Sequence, residues 1–394
     1  MLAPANSYWH CCEAIRALPL PPLSAYIHLP WCERKCPYCD FNSHEAQIIP
    51  DERYVDVLLE DLRGELENEQ RPLETVFIGG GTPSLFSVAA IDRLLGGLRE
   101  FAELPPNAEI TMEANPGSTE SGRLAAYARA GVTRFSLGLQ SLDDRSLRAL
   151  GRVHDSHAAR SAVQAATDSG AGSFNIDLMH GLPEQTLKMG LADIKGALAL
   201  APPHLSWYQL TIEANTHFYS SPPILPLENV LGDLEEQGSA LLIDKGYRRY
   251  EVSAWALPGQ ECRHNLNYWM FGDYVAAGAG AHGKLSSADG RILRYAKTRK
   301  PDDYMGPRGS RRCALRELDR TDRLGEFMLG ALRLEAGFDI ELFEERTGLN
   351  AAVLEEPLRA LEGQGLVARV GDRIATSRLG RRFLDDVTAQ FFPD

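Results

Sequence analysis

The chain has 394 residues, enough for one large domain and a smaller one. Its 44% hydrophobic and 24% charged residues are those of an ordinary globular protein, and no apolar run reaches the ~18–20 residues of a membrane span. A net charge of −13 without a Lys/Arg block argues against nucleic-acid binding. The opening MLAPANSYWHCCEAIRALPLPPL lacks the basic start and long apolar core of a secretory signal, so cytoplasm is the expected location.

Residues 1–20, with the Cys11-Cys12 pair, read as an N-terminal extension to which no role is assigned. Next come candidate strands SAYIHLP (24–30), ETVFIGG (74–80), EITMEA (109–114), RFSLGLQ (134–140), SFNIDLMH (173–180) and HLSWYQLT (204–211). Between them lie RYVDVLLEDLRGELE, VAAIDRLLGGLREF, GRLAAYARAG, HAARSAVQAATDSG and TLKMGLADIKGALAL, each with a 3.6-residue apolar period. Repeated strand–helix units imply parallel strands with right-handed crossovers. The expectation is an α/β fold, a partial six-stranded β/α barrel over residues 21–228.

Residues 229–320 read as a barrel-associated region, with a helix at NVLGDLEEQGSALLIDKGY and strands near YRRYEVSAWA and GRILRYAK. ILPLENV and KPDDYMGPRGSRRC read as loops. Over residues 321–394, three short helices precede LVARVGDRIATS, a hairpin turned at Gly371-Asp372. That order predicts a winged-helix-like module, read as a packing or docking element in so acidic a chain.

Of seven cysteines, Cys32, Cys36 and Cys39 stand within eight residues, as C-x3-C-x2-C on the loop after the first strand. That is metal-ligand spacing, at the strand end where β/α barrels place their chemistry. Cys11, Cys12, Cys262 and Cys313 are scattered and read as plain thiols. Spacing alone leaves two readings. A zinc site would take His28 or His44 as fourth ligand, although no second half-site exists. An iron–sulfur cluster on three thiolates would leave one iron open to a small chelating molecule.

Other polar groups close successive strands. FIGGGTPS brings Gly80, Gly81 and Thr82, where a bare backbone can approach a ligand. Glu113, Gln140 and Asp177 each interrupt an apolar strand, at a cost of about 1–3 kcal/mol if unpartnered. A neighbouring loop could satisfy any one of them; all at one end fit a shared ligand better. Arg152, alternatively a surface charge, offers a planar fork to a carboxylate.

The cysteine spacing, with Tyr38 before the third Cys, resembles the radical S-adenosylmethionine superfamily. The resemblance implies a 4Fe–4S cluster on Cys32, Cys36 and Cys39, its open iron chelated by S-adenosylmethionine. It further implies Tyr26, Tyr38, Gly80, Gly81, Thr82, Glu113, Gln140, Arg152 and Asp177 as contacts of that cofactor. YIHLPWCERKCPYCDFNSH, GGGTPS, NIDLMHGLPEQT and YQLTIEANTHF are similar to the oxygen-independent coproporphyrinogen III oxidase group. The dehydrogenases of that group carry a further Cys two residues after the third and a longer extension before the cluster. Phe41 stands there in this chain, and CRHNLNYWMFG supplies an H-N-x-x-Y/W signature. Both features resemble the HemW-type heme chaperone branch, over about residues 21–390.

That branch implies heme binding and delivery to acceptor proteins, with His264 as the candidate iron ligand. From its residues alone, His264 reads more readily as part of a turn whose His and Asn bond backbone groups, and only the resemblance raises the ligand reading to equal standing. His154, His180 and His282 are lesser candidates, and His28 and His44 are expected to orient the cluster loop. The alternative is an enzyme, oxidatively decarboxylating coproporphyrinogen III through a 5′-deoxyadenosyl radical. A third reading is a zinc-stabilised structural protein. Peripheral membrane association and a homodimer stay open.

Overall fold

The computed structural model describes residues 19–117, 122–307 and 311–392; the Cys11-Cys12 pair lies outside them. Six strands carry the chain from one crossover helix to the next: β1 (Leu23–Leu29), β2 (Leu73–Gly80), β3 (Glu109–Ala114), β4 (Arg134–Gln140), β5 (Ser173–His180) and β6 (His204–Gln209). Each pairs in parallel with the next. The helices Asp51–Leu66, Val88–Phe101, Leu124–Ala130, Ser156–Asp168 and Leu187–Ala199 lie between them in sequence, as their periodicity predicts.

Side-chain alternation sets what faces where. In β1, Leu23, Ala25, Ile27 and Leu29 are wholly buried in the main core, which also holds Leu58, Leu62, Leu94, Leu98, Val163 and Ile194 of the helices. The intervening Ser24, Tyr26 and His28 are polar. The inner faces of the other strands carry Thr75, Thr111, Glu113, Arg134, Ser136, Asn175, Asp177, His204 and Tyr208. A barrel interior of this polarity needs water or a ligand to satisfy it.

The barrel stays open, since β1 and β6 are not neighbours. Instead β7 (Arg248–Glu251) and β8 (Ala254–Ala256) extend the β6 side antiparallel. On the other side β9 (Asp273–Ala277) joins β1 in parallel, and β10 (His282–Ser286), β11 (Ile292–Lys297) and β12 (Arg312–Glu317) continue antiparallel. The order is β12-β11-β10-β9-β1-β2-β3-β4-β5-β6-β8-β7. Residues 229–320 thus extend the barrel sheet at both edges. The strands β9, β10 and β12 were not expected from the sequence. The loop assigned to KPDDYMGPRGSRRC holds a short helix, Pro301–Tyr304, and the start of β12.

The C-terminal part has its own core of Phe327, Phe338, Phe343, Leu358, Leu361 and Ile374. Helices Arg320–Ala331, Ile340–Thr347 and Glu355–Gly363 pack with a small sheet of β13 (Phe338–Asp339), β14 (Val367–Val370) and β15 (Arg373–Thr376). The hairpin turns where expected, with Gly371 at φ 61°. Asp319 and Asp322 close a reciprocal cap on the first of these helices. Phe271 belongs to the same core and ties the module to the barrel. Among the described residues no helix is long and apolar enough to cross a membrane.

One buried ionic knot holds the added strands to the barrel's first helix. Lys297 of β11, 1% exposed, lies 2.6 Å from both Asp61 and Glu65 of Asp51–Leu66. The Tyr304 hydroxyl donates to Asp61 at 2.6 Å, and Arg312 also pairs with Glu65. Burial acts to raise the Glu65 pKa, but the Arg312 and Lys297 bonds hold it below the usual carboxylate value. Removing one partner strands the others' charge, which costs about 3–5 kcal/mol. Lys297→Met is expected to lower the thermal unfolding midpoint sharply. An unchanged midpoint by circular dichroism would show that the knot contributes little.

Candidate functional site

The loop after β1 is closed by its own backbone. Trp31–Cys32 pairs with His44–Glu45, drawing residues 33–43 into one turn. Lys35 Nζ donates to the carbonyls of Phe41 and Ser43 at 3.0 and 3.3 Å. Asn42 Nδ2 donates to the carbonyls of Ala279 and Arg299, both at 2.8 Å, and so ties the loop to the late strands. Beneath it, the Tyr26 hydroxyl and His28 Nδ1 are 2.9 Å apart, and His28 Nε2 is 2.9 Å from the Asn42 carbonyl. Burial lowers the His28 pKa. A neutral ring accepting from Tyr26 and donating to Asn42 accounts for both contacts.

Two glycines of GGGTPS bring β2 against this loop. A Cβ on Gly81 would stand 2.5 Å from the Trp31 carbonyl oxygen. Gly80, at φ +121°, would place one 2.6 Å from the His28 ring. No larger residue fits either position without moving the loop.

Loop and strand ends enclose a cavity of about 450 Å³, within the usual range for a small-molecule site. All three clustered cysteines line it, with Tyr38, Gly80, Gly81, Thr82, Glu113, Gln140, Arg152 and Asp177. Burial pushes the Cys32 and Cys39 thiols up. Arg152 Nη1 reaches Cys36 Sγ at 3.5 Å, and its Nη2 donates to Asn115 Oδ1 at 2.6 Å and to the Gly138 carbonyl at 2.9 Å. Arg152 Nε is buried with no hydrogen-bond partner.

Glu113 accepts from Gly80 N at 3.0 Å; burial, aided by Asp177, pushes its pKa up to about 8. Asp177 is bonded to Ser136 and Asn175 at 3.2 and 2.7 Å, and burial raises it too. Gln140 sits at φ 68°, a conformation costly for a non-glycine, and accepts from the Tyr208 hydroxyl at 2.8 Å. Sequence reasoning missed Asn115, which bridges Arg152 and Thr82 (Nδ2 to Oγ1, 2.9 Å), and Tyr208. Each polar group stands at a strand end, and that signal was available for both.

Two expected contacts lie elsewhere. Tyr26 is outside the cavity lining, stacked on Phe77 with centroids 6.3 Å apart, and reaches the loop only through His28. His264 sits at the opposite, N-terminal end of the strands. HNLNYW is no turn but the helix Arg263–Trp269, which plugs that end. His264 is 9% exposed, packs on Phe77 and lies 2.8 Å from Thr75 Oγ1 through Nδ1. Burial, with Arg134 nearby, pushes its pKa down to about 3. The ring expected as an axial ligand is thus buried in the barrel floor, with Nδ1 committed to Thr75 and one face packed on Phe77. Among the lesser candidates, His154 Nε2 lies 3.1 Å from the Leu139 carbonyl, His180 packs on Trp207, and His282 is exposed.

Residues 26–193 match the radical SAM superfamily, and residues 318–383 match the HemN C-terminal domain. The heme chaperone HemW of Escherichia coli (strain K12) is 48% identical over 378 residues, 95% of this chain and 99% of that protein. The chain belongs to the HemW family. The HemW of Haemophilus influenzae is 45% identical over 381 residues, with the same coverage. Coproporphyrinogen III oxidase (HemN) from Escherichia coli superposes with a TM-score of 0.80 at 23% identity, over 96% of this chain and 92% of that one, and so shares the fold.

Membership of the radical SAM superfamily implies a 4Fe–4S cluster and S-adenosylmethionine. The donor set fits this pair. Among the described residues no three His, Cys, Asp or Glu side chains converge as they would around a single ion. Three thiols on the cavity lining suit a cluster that gives each its own iron. Bare glycine backbone and the orphaned Arg152 Nε leave polar groups for a bound amino acid. Asn115 positions Arg152. In Asn115→Ala, S-adenosylmethionine affinity of the iron-reconstituted HemW-family protein should fall about tenfold with iron content unchanged. Calorimetric titration checks this; wild-type affinity would remove Asn115 from the site.

Proposed function

We propose that this protein binds heme and passes it to acceptor proteins, with a 4Fe–4S cluster on Cys32, Cys36 and Cys39 and S-adenosylmethionine in the adjoining cavity. Near full-length relatedness, at 48% identity, to a protein named heme chaperone carries this reading. The likeness to coproporphyrinogen III oxidase supports only the shared fold. Phe41 agrees with the carrier. It stands 58% exposed on the cavity rim, where the dehydrogenases of the resemblance place a cysteine.

In this proposal Arg152 meets the cofactor carboxylate, Asp177 the ribose hydroxyls and Glu113 the amino group. Gly80, Gly81 and Thr82 present backbone to the methionine part. When bound, cluster and cofactor together supply the means of reductive radical formation. The chain's own part is to hold the thiols, exclude bulk water and fix the cofactor's polar ends.

Four measurements test this. Cys36→Ser should lose the cluster's brown colour and its iron, since a soft ligand is removed; retained iron refutes the cluster assignment. Cofactor binding should strengthen with pH. The Glu113 pKa, raised to about 8, means that binding an amino donor below that pH must displace a proton. Affinity should rise by up to tenfold per unit from pH 6.5 toward 8, level off above it, and lose this slope in Glu113→Gln. Hemin titration should give a Soret band with about one heme per chain. His264→Ala should retain it, because that imidazole is buried at the floor. Finally, the reconstituted protein given coproporphyrinogen III, S-adenosylmethionine and a reductant should make no protoporphyrinogen. Robust turnover would replace the carrier with the enzyme.

A further inference from the structure

We propose that Arg134 and Thr111 form a carboxylate subsite at the floor of the barrel. The two residues are in register on neighbouring parallel strands. Both lie on the inner face, the face on which Glu113 and Ser136 reach the cavity two residues further along. Arg134 is 4% exposed, and among the described residues its guanidinium makes no hydrogen bond or ion pair; its Nε is wholly buried and orphaned. Thr111 is fully buried, and its hydroxyl is orphaned as well. Two such groups side by side are rare in a folded interior. A buried cation is ordinarily paired.

The nearby carboxylates Glu109 and Asp177 attract the Arg134 charge without bonding to it, and their hydrogen bonds go elsewhere. Glu109 accepts from Cys262 Sγ and from the backbone N–H groups of Arg263 and His264, capping the floor helix. Asp177 is held by Ser136 and Asn175. The two imidazoles at this level are also committed: His204 lies between Asn175 and Tyr250, and His264 lies against Thr75. Burial and the Arg134 charge keep both rings neutral. Arg134 is therefore the fixed positive charge of the floor, with a hydroxyl donor beside it. Guanidinium plus hydroxyl is the donor set for a carboxylate.

The carboxylate has two candidate sources: a free small acid, or an acidic arm of a larger ligand that reaches into the barrel interior. Ser136 separates the cavity from Arg134 by one pleat, about 6–7 Å along the strand. A tetrapyrrole's propionate arm spans most of that gap. Only this second source rests on the carrier reading; the subsite itself does not.

The test uses the reconstituted full chain. Sodium propionate should raise the thermal midpoint of wild type above that in sodium chloride at equal ionic strength. Arg134→Met should abolish this protection, and the near-isosteric Thr111→Val should reduce it. Without propionate, Arg134→Met should keep the folded circular-dichroism spectrum and one cooperative unfolding transition, so that any loss of protection is read on a folded protein. Hemin should bind wild type about tenfold more tightly than its dimethyl ester, with the preference lost in Arg134→Met. Protection without an ester preference supports the subsite and assigns it to a free acid. No propionate protection of wild type, or equal protection of Arg134→Met, overturns the proposal and leaves the floor to water.

Discussion

The approach of Gly81 to the Trp31 carbonyl is the constraint from which the site follows. Gly81 N donates to Leu29 O and Thr82 N to Trp31 O, both at 2.8 Å. These bonds carry the pairing of β1 and β2 beyond their ends and into the cysteine loop. A backbone this close tolerates no side chain between the strands. The thiols and the polar strand ends therefore share one rigid frame instead of meeting across a loose loop. Preorganisation of this kind is what a site holding a cluster and a second small molecule needs.

Much of this architecture is legible in the sequence. The strands β3, β4 and β5 match their sequence assignments residue for residue, because each is a short apolar run bounded by turn or helix signals. The cysteine spacing and the polar strand ends mark the cavity, since polar groups gathered at the C-terminal ends of parallel strands face the place where such barrels bind their ligands. Other features are hidden for physical reasons. DYVAA is buried along its whole length and too short to show alternation, so β9 gives no strand signal. The backbone turn at Gln140 depends on its tertiary surroundings. Asn115 carries the strand-end signal, but its partner Arg152, 37 residues away, is set only by the fold.

His264 shows the opposite failure. Its residue type and aromatic neighbours fit an iron ligand, yet the same features fit a helix plugging a polar barrel. Thr75, Ser24 and Glu109 decide between them. The first two receive the side chains of His264 and Asn267, and the third caps the helix start. None of these partners is near in sequence, so only the assembled barrel reveals that the ring is spent. The same assembly exposes Arg134 as the group left without one.

The parallel pairing of β1 with β9 has a consequence for how the molecule is made. Leu23 lies opposite Asp273, 250 residues further along the chain. A ribosome releases the first strand long before its second neighbour exists. The cysteine loop shares that delay, because Asn42 is anchored to Ala279 and Arg299. The frame around the thiols is complete only when those late strands are in place. Pairings of such long range close slowly. The cysteine loop is thereby among the last parts of the barrel to gain its full frame.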